Sequence, residues 1–386
     1  MGIRTTVVAM VAAVFATIVL LVTDSSEAAT LFIRLLPIFV FVAGMSVVVN
    51  IAAQVGVFDT VTRALETVAP RGERLRRQAL WAGLILISIV VTVFLSLDTT
   101  AILLTPLAIA VARRNALNLM AISFGVVWIA NIASLHLPVS NLTNLLALSG
   151  GGFAGELDYI LAAWLPATIA TGIAVLAALV VNRLPVRVAA DNPPPQPDNR
   201  AETDPLLRPA LITIGVLLPA LALPTIPYWL SSTVAAMVML GFAIALRRDL
   251  VQIRLIPWPS LILASAMSTV ATAVNVLGGA QIVQEMLGGT SLLALAATGG
   301  LVANLMNNIP AFLALEPAVS NPDSYLALLI GVNAGPIITP WASLATLLWH
   351  DQLIRAGVQI RWRTFIGFGL VLAPVAVVVP TLALMV

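Results

Sequence analysis

Apolar runs long enough to cross a bilayer, which takes about 20 residues of helix, follow one another along almost the whole chain. Short polar stretches separate them. Their spacing predicts helices over about residues 5–23, 31–58, 117–150 and 157–183, a connecting helix near 208–224, then helices over 228–246, 257–277, 324–350 and 364–384. Continuous runs of this length suit helical spans, not the short alternating strands of a barrel. The first, residues 7–22, has the outline of a signal peptide, with Arg4 ahead of it and Ser25, Ser26 and Ala28 behind. Because further spans follow at once, it is read as a retained first helix.

Two of the predicted helices contain sequence that breaks helices. Asn131 to Leu146 reads NIASLHLPVSNLTNLL and Asn333 to Leu348 reads NAGPIITPWASLATLL; aligned without a gap, they share Asn, Pro and three Leu. Irregular backbone at membrane depth survives only where it is buried in protein or lines a polar cavity. One such break in each half therefore points to a single central site, the arrangement of transporters built from inverted repeats.

Charge supplies the topology. All 19 basic residues are arginine. Arg63, Arg71, Arg74, Arg76 and Arg77 crowd one loop, and Arg113 with Arg114 closes the next apolar stretch, so both ends of residues 78–112 fall on the cytoplasmic side. A segment with both ends on one side must turn back, and SLDTT, Ser96 to Thr100, lies at its middle. Further inner loops carry Arg183 and Arg187, then Arg247, Arg248 and Arg254, then Arg355, Arg361 and Arg363. Asp24, Glu27, Glu156, Asp158 and Asp323 are left outside.

The predicted fold is an all-α polytopic membrane protein, an inverted repeat with two re-entrant hairpins and two broken helices. Residues 1–183 form the first repeat, with an inward-opening hairpin near 78–112; residues 184–207 are a proline-rich cytoplasmic linker and 208–227 a connecting helix. Residues 228–386 form the second repeat, with an outward-opening hairpin near 290–320 whose tip is Asn307 to Pro310. The chain is expected in the plasma (cytoplasmic) membrane of a prokaryote, multi-pass, with its N-terminus in the cytoplasm.

Composition excludes several classes of function. The chain is 60% hydrophobic and 9% charged, far from the quarter or so charged residues of soluble domains. A basic pI does not imply nucleic acid here, because the arginines are scattered among short loops. Cysteine is absent, so disulfides, thiolate metal sites and thiol capture of a substrate are excluded. No GxxxxGK[ST] loop, EF-hand loop or HExxH occurs, and the two histidines, 136 and 350, are far apart. The chain is expected to be neither a metal-dependent enzyme nor a cofactor protein. Energy must come from an ion gradient, the substrate's own gradient or a separate subunit.

Asp98 is the sharpest candidate for chemistry, since a carboxylate in an apolar span is costly and marks a cation, a proton path or a polar cavity. Ser96, Thr99 and Thr100 could instead satisfy it locally as a structural acid. Ser140, Asn141, Thr143 and Asn144, with Asn307, Asn308, Ser343 and Thr346, supply neutral donors and acceptors. Asn131, Asn333 and Thr339, from the two aligned breaks, complete the expected binding set. Such groups suit a small polar solute, although Ser and Asn also join helices to one another. Glu316 is a further titrating group or an acid near the outer interface. His136, in the first break, is a further proton-coupling candidate or a packed side chain. Glu285, between glycine pairs, is read as a loop acid, and Trp81, Trp128, Trp164, Trp229, Trp258, Trp349 and Trp362 as an aromatic belt.

SLDTTAILLTP, PVSNLTNLL, NNIPAFLALEP and ITPWASLATLLW resemble the matching motifs of the arsenite permeases, within the superfamily that includes dicarboxylate, citrate and sodium/proton carriers. The resemblance covers most of the chain from about residue 35 onward. It implies an elevator-type carrier with two hairpins and two broken helices about a midplane site. It also implies export of arsenite or antimonite as the neutral trihydroxide, driven by the proton gradient; Asp98, whose place in an apolar span already favours a proton-coupling role, is the acid retained from the family's motif. A homodimer and a soluble ATPase subunit are the partners it allows, besides lipid, protons and the solute; nucleic acid is not among them. Sodium-coupled dicarboxylate carriers have Ser-Asn-Thr at both tips, where this chain has Ser96-Leu97-Asp98 and Asn307-Asn308-Ile309. Leu97 also departs from the Asn-Asp pair common in arsenite permeases. The alternative is a sodium/proton antiporter or an organic-anion carrier of the same superfamily.

Overall fold

The computed structural model describes residues 3–184, 204–223 and 225–385, and the side chains of the first helix from residue 11. The first half contains α1 (Ile3–Thr23), α2 (Ser25–Gln54), α3 (Val57–Val68), α4 (Glu73–Leu95), α5 (Leu97–Thr99), α6 (Thr105–Arg114), α7 (Leu119–Ile132), α8 (Leu142–Ser149) and α9 (Glu156–Arg183). The second contains α10 (Leu207–Leu221), α11 (Tyr228–Leu246), α12 (Trp258–Val274), α13 (Ala280–Leu287), α14 (Leu292–Met306), α15 (Asn308–Leu315), α16 (Pro322–Ala334), α17 (Leu344–Arg355) and α18 (Trp362–Leu382).

Among the described residues, six helices are long and apolar enough to cross a membrane, Ser25–Gln54, Glu73–Leu95, Glu156–Arg183, Tyr228–Leu246, Leu261–Leu287 and Trp362–Met385. Their outward faces carry Ile33, Leu161, Val371 and other exposed apolar side chains, the surface that hydrocarbon, not water, solvates. The chain is a multi-pass helical membrane protein.

Local sequence accounts for the boundaries. Asp24 starts α2 by accepting hydrogen bonds from the backbone N–H groups of Ser26 at 3.0 Å and Glu27 at 3.3 Å. The expected helix 31–58 stops earlier, because Gly56 takes a left-handed φ of 84°, and the chain then forms α3. The arginine-rich segment expected as a loop is thus partly helical. Arg114 pairs with Glu66 of α3 at 2.9 Å and pins this helix to the end of α6. Residues 275–287 also differ from expectation: a π-helical turn, Asn275–Gly279, with Gly278 at φ 104°, leads into α13, so Glu285 lies on a helix, where it is exposed. The linker proposed for 184–207 lies largely outside the described residues.

Small residues let the helices approach. On α9, Ala163, Ala167, Ala170, Ala174 and Ala178 form a buried stripe at helical spacing, and α9 packs on α7 and α18. Between α14 and α16, Gly331 leaves no room for a Cβ, which would overlap the carbonyl oxygen of Ala296. Without hydrophobic drive between helices in lipid, such close backbone contact supplies the attraction.

Two sets of helices result. One contains α1, α2, α10, α11 and α12, with α1 on α12 and α2 on α11. The other contains α4 to α9 and α14 to α18, in which α4 packs on α7, α14 on α16 and α9 on α18. Trp128 and Trp349, expected at the membrane interface, are instead fully buried in this second set. They join Phe124, Phe365 and Phe368 in one aromatic cluster, with Phe124 4.9 Å from Trp128 and 5.9 Å from Trp349. Trp164 remains exposed, as a belt residue would.

Candidate functional site

The two sequence breaks are breaks in the structure. α7 ends at Ile132, passes through 3-10 turns at Ala133–Leu135 and Pro138–Ser140, and resumes as α8. α16 ends at Ala334 and resumes as α17 at Leu344. The two cross at Asn333. Its Oδ1 accepts from Asn141 Nδ2 at 3.0 Å and from Thr143 Oγ1 at 2.7 Å, while its Nδ2 donates to Asn144 Oδ1 at 2.8 Å. Asn144 Nδ2 in turn donates to the carbonyls of Ser134 at 2.7 Å and Leu137 at 3.1 Å. Ser140 Oγ donates to the Val93 carbonyl at 2.7 Å, tying this break to α4. Asn141, Thr143, Asn144 and Asn333 are thus assembled into one buried network whose polar atoms are largely spent on one another.

The second break is held differently. Asn304 of α14, which the sequence reading did not single out, donates to the Gly300 and Gly335 carbonyls at 2.8 Å each. Its Oδ1 accepts from the N–H of Thr339 at 3.0 Å, and its carbonyl accepts from Thr339 Oγ1 at 2.7 Å. Thr339 is therefore committed to Asn304. Its signal in sequence was only an amide inside an apolar run. Asn307 Nδ2 donates to the Trp341 carbonyl at 3.0 Å and the Asn308 N–H to the Ala342 carbonyl at 2.9 Å, so the junction of α14 and α15 sits against the break.

That junction has a counterpart. α4 meets α5 at Ser96, φ 119°, and α14 meets α15 at Asn307, φ 108°. Both are non-glycine residues at positive φ, a conformation that L side chains adopt rarely and at a cost of about 1–3 kcal/mol. At the first junction the hydroxyls bond among themselves. Ser96 Oγ accepts from the Thr99 N–H at 3.3 Å, Thr99 Oγ1 donates to the Leu95 carbonyl at 3.2 Å, and Thr100 Oγ1 lies 2.8 Å from Thr92 Oγ1. Asp98 gains nothing from them: its Oδ1 is buried with no hydrogen-bond partner. The local satisfaction open to Asp98 in the sequence does not reach this oxygen.

The elements around Asp98 hold other unspent groups. α5 and the π-helical turn Thr100–Leu104 pack against α7 and α17. Asn131 Oδ1 on α7, Ser343 Oγ and Thr346 Oγ1 at the start of α17 are buried and unpartnered. Ser343 is the N-cap of α17 yet makes no capping hydrogen bond, whereas Asn141, its aligned counterpart, caps α8 through the Thr143 N–H at 3.3 Å. A 12-residue helix without a side-chain cap presents free N–H groups and positive dipole. The aligned breaks therefore differ: Asn141, Thr143 and Asn144 of the first are spent on hydrogen bonds, whereas Ser343 and Thr346 of the second stay unspent on α17, which packs against the element that carries Asp98. No arginine occurs in Leu97–Leu104, in α7 or in the first turn of α17.

Of the remaining predicted residues, Asn308 is buried at the second junction. His136 is half-buried, with Nδ1 3.1 Å from the Ala133 carbonyl. Glu316 stands apart from Asp98, on a turn after α15, in an ion pair with Arg34 of α2. Arg34 was missed by the sequence reading, although a lone arginine inside the second apolar run was the signal.

A family model described as citrate transporter matches residues 1–330. The chain belongs to the CitMHS family. CitMHS is a transporter family, not an enzyme family, and the chain is a secondary transporter within it. Among relatives of this CitMHS protein, the arsenical pump membrane protein of Escherichia coli is 28% identical over 330 residues, covering 77% of this chain and 75% of that one. The arsenical pump membrane protein of Yersinia enterocolitica is 28% identical over 326 residues, with the same coverage of 77% and 75%. The crystal structure of the Alcanivorax borkumensis YdaH transporter shares the fold at a TM-score of 0.54 and 15% identity, covering 93% of this chain and 86% of that one.

Proposed function

We propose that this protein exports trivalent arsenic or antimony as the uncharged trihydroxide across the cytoplasmic membrane of a bacterium, driven by protons carried on Asp98. The observation that carries this reading is the unpartnered, buried Asp98 Oδ1 on α5, an element packed against α7 and α17, where the side-chain oxygens of Asn131, Ser343 and Thr346 are also unspent. Hydroxyl and carbonyl oxygens with free helix N–H groups hold a neutral hydroxylated solute by hydrogen bonds. A site with one acid and no base repels citrate, so the solute of the arsenical pump relatives fits better than the one in the family's description.

In the cycle, Asp98 is neutral while protonated and can then face the low-dielectric crossing. Loss of the proton leaves a carboxylate that demands solvation or a donor, which changes how well the site holds solute. The set α4 to α9 and α14 to α18 carries the site past α1, α2 and α10 to α12 as an elevator. The pairing of α1 with α12 and α2 with α11, each the exchange of the other, supports an inverted repeat, and Ser96 and Asn307 mark its two hairpin tips. Basic loops put the ends of the first hairpin and the N-terminus in the cytoplasm. The neutral network at Asn333 orients the crossing, and the remaining predicted amides and hydroxyls line it.

A second reading, sodium/proton exchange, is favoured by the same acid among neutral oxygens. Everted vesicles under an imposed pH gradient separate these readings when arsenite, antimonite, sodium, citrate and succinate are compared. Uptake of arsenite and antimonite that Asp98→Asn abolishes is expected. Uptake of sodium or citrate in place of arsenite overturns the proposal.

A further inference from the structure

A cavity of about 450 Å³ lies between α2, α12, the turn at Asn275–Gly279 and the end of α15. It is large enough for a small solute with several waters, each needing about 30 Å³. Ser268, Thr272, Asn275 and Gln281 line it, with Arg34 and Glu316. Ser268 is 1% exposed, and its hydroxyl has no partner. Asp24 also borders the cavity, but its carboxylate is engaged in capping α2.

Arg34 is the charged residue that joins the two sets of helices here. From α2 it reaches across to three groups of the other set: both carboxylate oxygens of Glu316, one of them at 3.2 Å, the Leu146 carbonyl at 2.6 Å, and Ser149 Oγ at 3.1 Å. The side chains of Arg34 and Glu316 are 19% and 14% exposed. Gly150 makes room for them, since a Cβ there would overlap both the guanidinium and the carboxylate. Because the pair cancels its own charge, the charge left on this wall is acidic, from Asp24 and the exposed Glu27, which disfavours an anion, and the other polar groups are hydroxyls and amides.

We propose that Arg34 and Glu316 form a gate: their ion pair ties α2 to the solute-carrying set, and its parting opens the cavity, a vestibule for a small uncharged hydroxylated solute, toward the crossing. This rests on the transport reading, in which the two sets move past each other. Any such movement must break the four hydrogen bonds of Arg34 together. A charged pair released into a polar cavity is resolvated by water at that moment, whereas one released into lipid would not be.

The test uses the absence of native cysteine and needs no solute. Leu313→Cys places a single thiol on α15 at the edge of the cavity, where Leu313 is 5% exposed. Its labelling by a membrane-impermeant maleimide is followed in the otherwise unaltered chain, in the neutral pair Arg34→Met with Glu316→Gln, and in the exchange Arg34→Glu with Glu316→Arg. The neutral pair leaves no unpaired buried charge, so folding is not the variable. Labelling several-fold faster in the neutral pair, and slowed again in the exchange, is expected. Equal rates in the unaltered chain and the neutral pair overturn the gate, as does an exchange that labels as fast as the neutral pair. Because no solute is present, failure of arsenite export in vesicles would sink the substrate reading without changing this result.

Discussion

Asn141 and Asn333 are 192 residues apart in sequence and joined by a 3.0 Å hydrogen bond between their side-chain amides. The bond closes the crossing of the two broken helices, and Thr143 and Asn144 share the same partner. Asn333→Ala removes three hydrogen bonds and leaves buried groups on Asn141, Thr143 and Asn144 short of partners. A loss of about 1–3 kcal/mol in stability is expected for each buried group so orphaned. Thermal unfolding in detergent checks it; an unchanged midpoint would show that the network carries no weight.

Ser343 and Thr346 are predicted to behave in the opposite way. Their hydroxyls have no partner, so Ser343→Ala and Thr346→Val break no hydrogen bond within the protein. Stability should hold, while the apparent affinity for arsenite falls several-fold, the effect of about 1 kcal/mol per lost contact. Initial transport rates against concentration read the second effect, and thermal unfolding the first. Loss of stability with affinity unchanged is the outcome that excludes these hydroxyls from the solute site.

Asp98→Asn keeps the shape of the side chain and removes its titration. Uphill arsenite movement under a pH gradient is expected to vanish, while exchange of labelled for unlabelled arsenite, which needs no net proton transfer, persists. Full proton-driven export in this variant would rule out Asp98 as the carrier and move attention to Glu316 and His136. The ion pair with Arg34 already makes Glu316 the poorer candidate.

Gly331→Ala is predicted to disrupt the contact of α14 with α16, because the added Cβ meets the Ala296 backbone and no flexible side chain can yield. Overpacking of this kind costs about 1–3 kcal/mol. Gly367→Ala, where a Cβ meets nothing within 4 Å, is the control. Comparing the unfolding midpoints of the two variants provides the measurement.

Leu75→Cys and Ala116→Cys probe the hairpin, since both positions are exposed, Leu75 in the first turn of α4 and Ala116 just beyond α6. Labelling from the same face of the membrane, the cytoplasmic one, is expected from the arginines around them. Opposite faces would mean that residues 78–112 cross the bilayer outright.

Much of the architecture was legible in the chain itself, because a bilayer imposes its thickness on every span and hydropathy reports that thickness directly. Most of the helices, the two breaks and the turns at Ser96 and Asn307 were visible as apolar runs and their interruption by Pro, Asn, Ser and Asp. α3 was not, since its Arg63 read together with the arginines that follow as one loop, and its helix packs against α6. The burial of Trp128 and Trp349 was not visible either: an indole near a span end reads as interfacial unless the aromatic partners that enclose it are known.

The candidate site divides along the same line. Residue type alone named Asp98, Asn141, Asn333, Ser343 and Thr346, because polar groups at membrane depth need a reason to be there. Only the tertiary structure decided which of them are spent. Hydrogen bonds between residues nearly two hundred positions apart satisfy Asn333, Asn141 and Thr143, and a threonine pair diverts Thr100 from Asp98. The pairing of Arg34 with Glu316, 282 residues away, was equally beyond reach. Hydropathy and charge are properties of single positions and survive in the sequence; the satisfaction of a donor or acceptor belongs to a pair, and the fold alone brings the pair together.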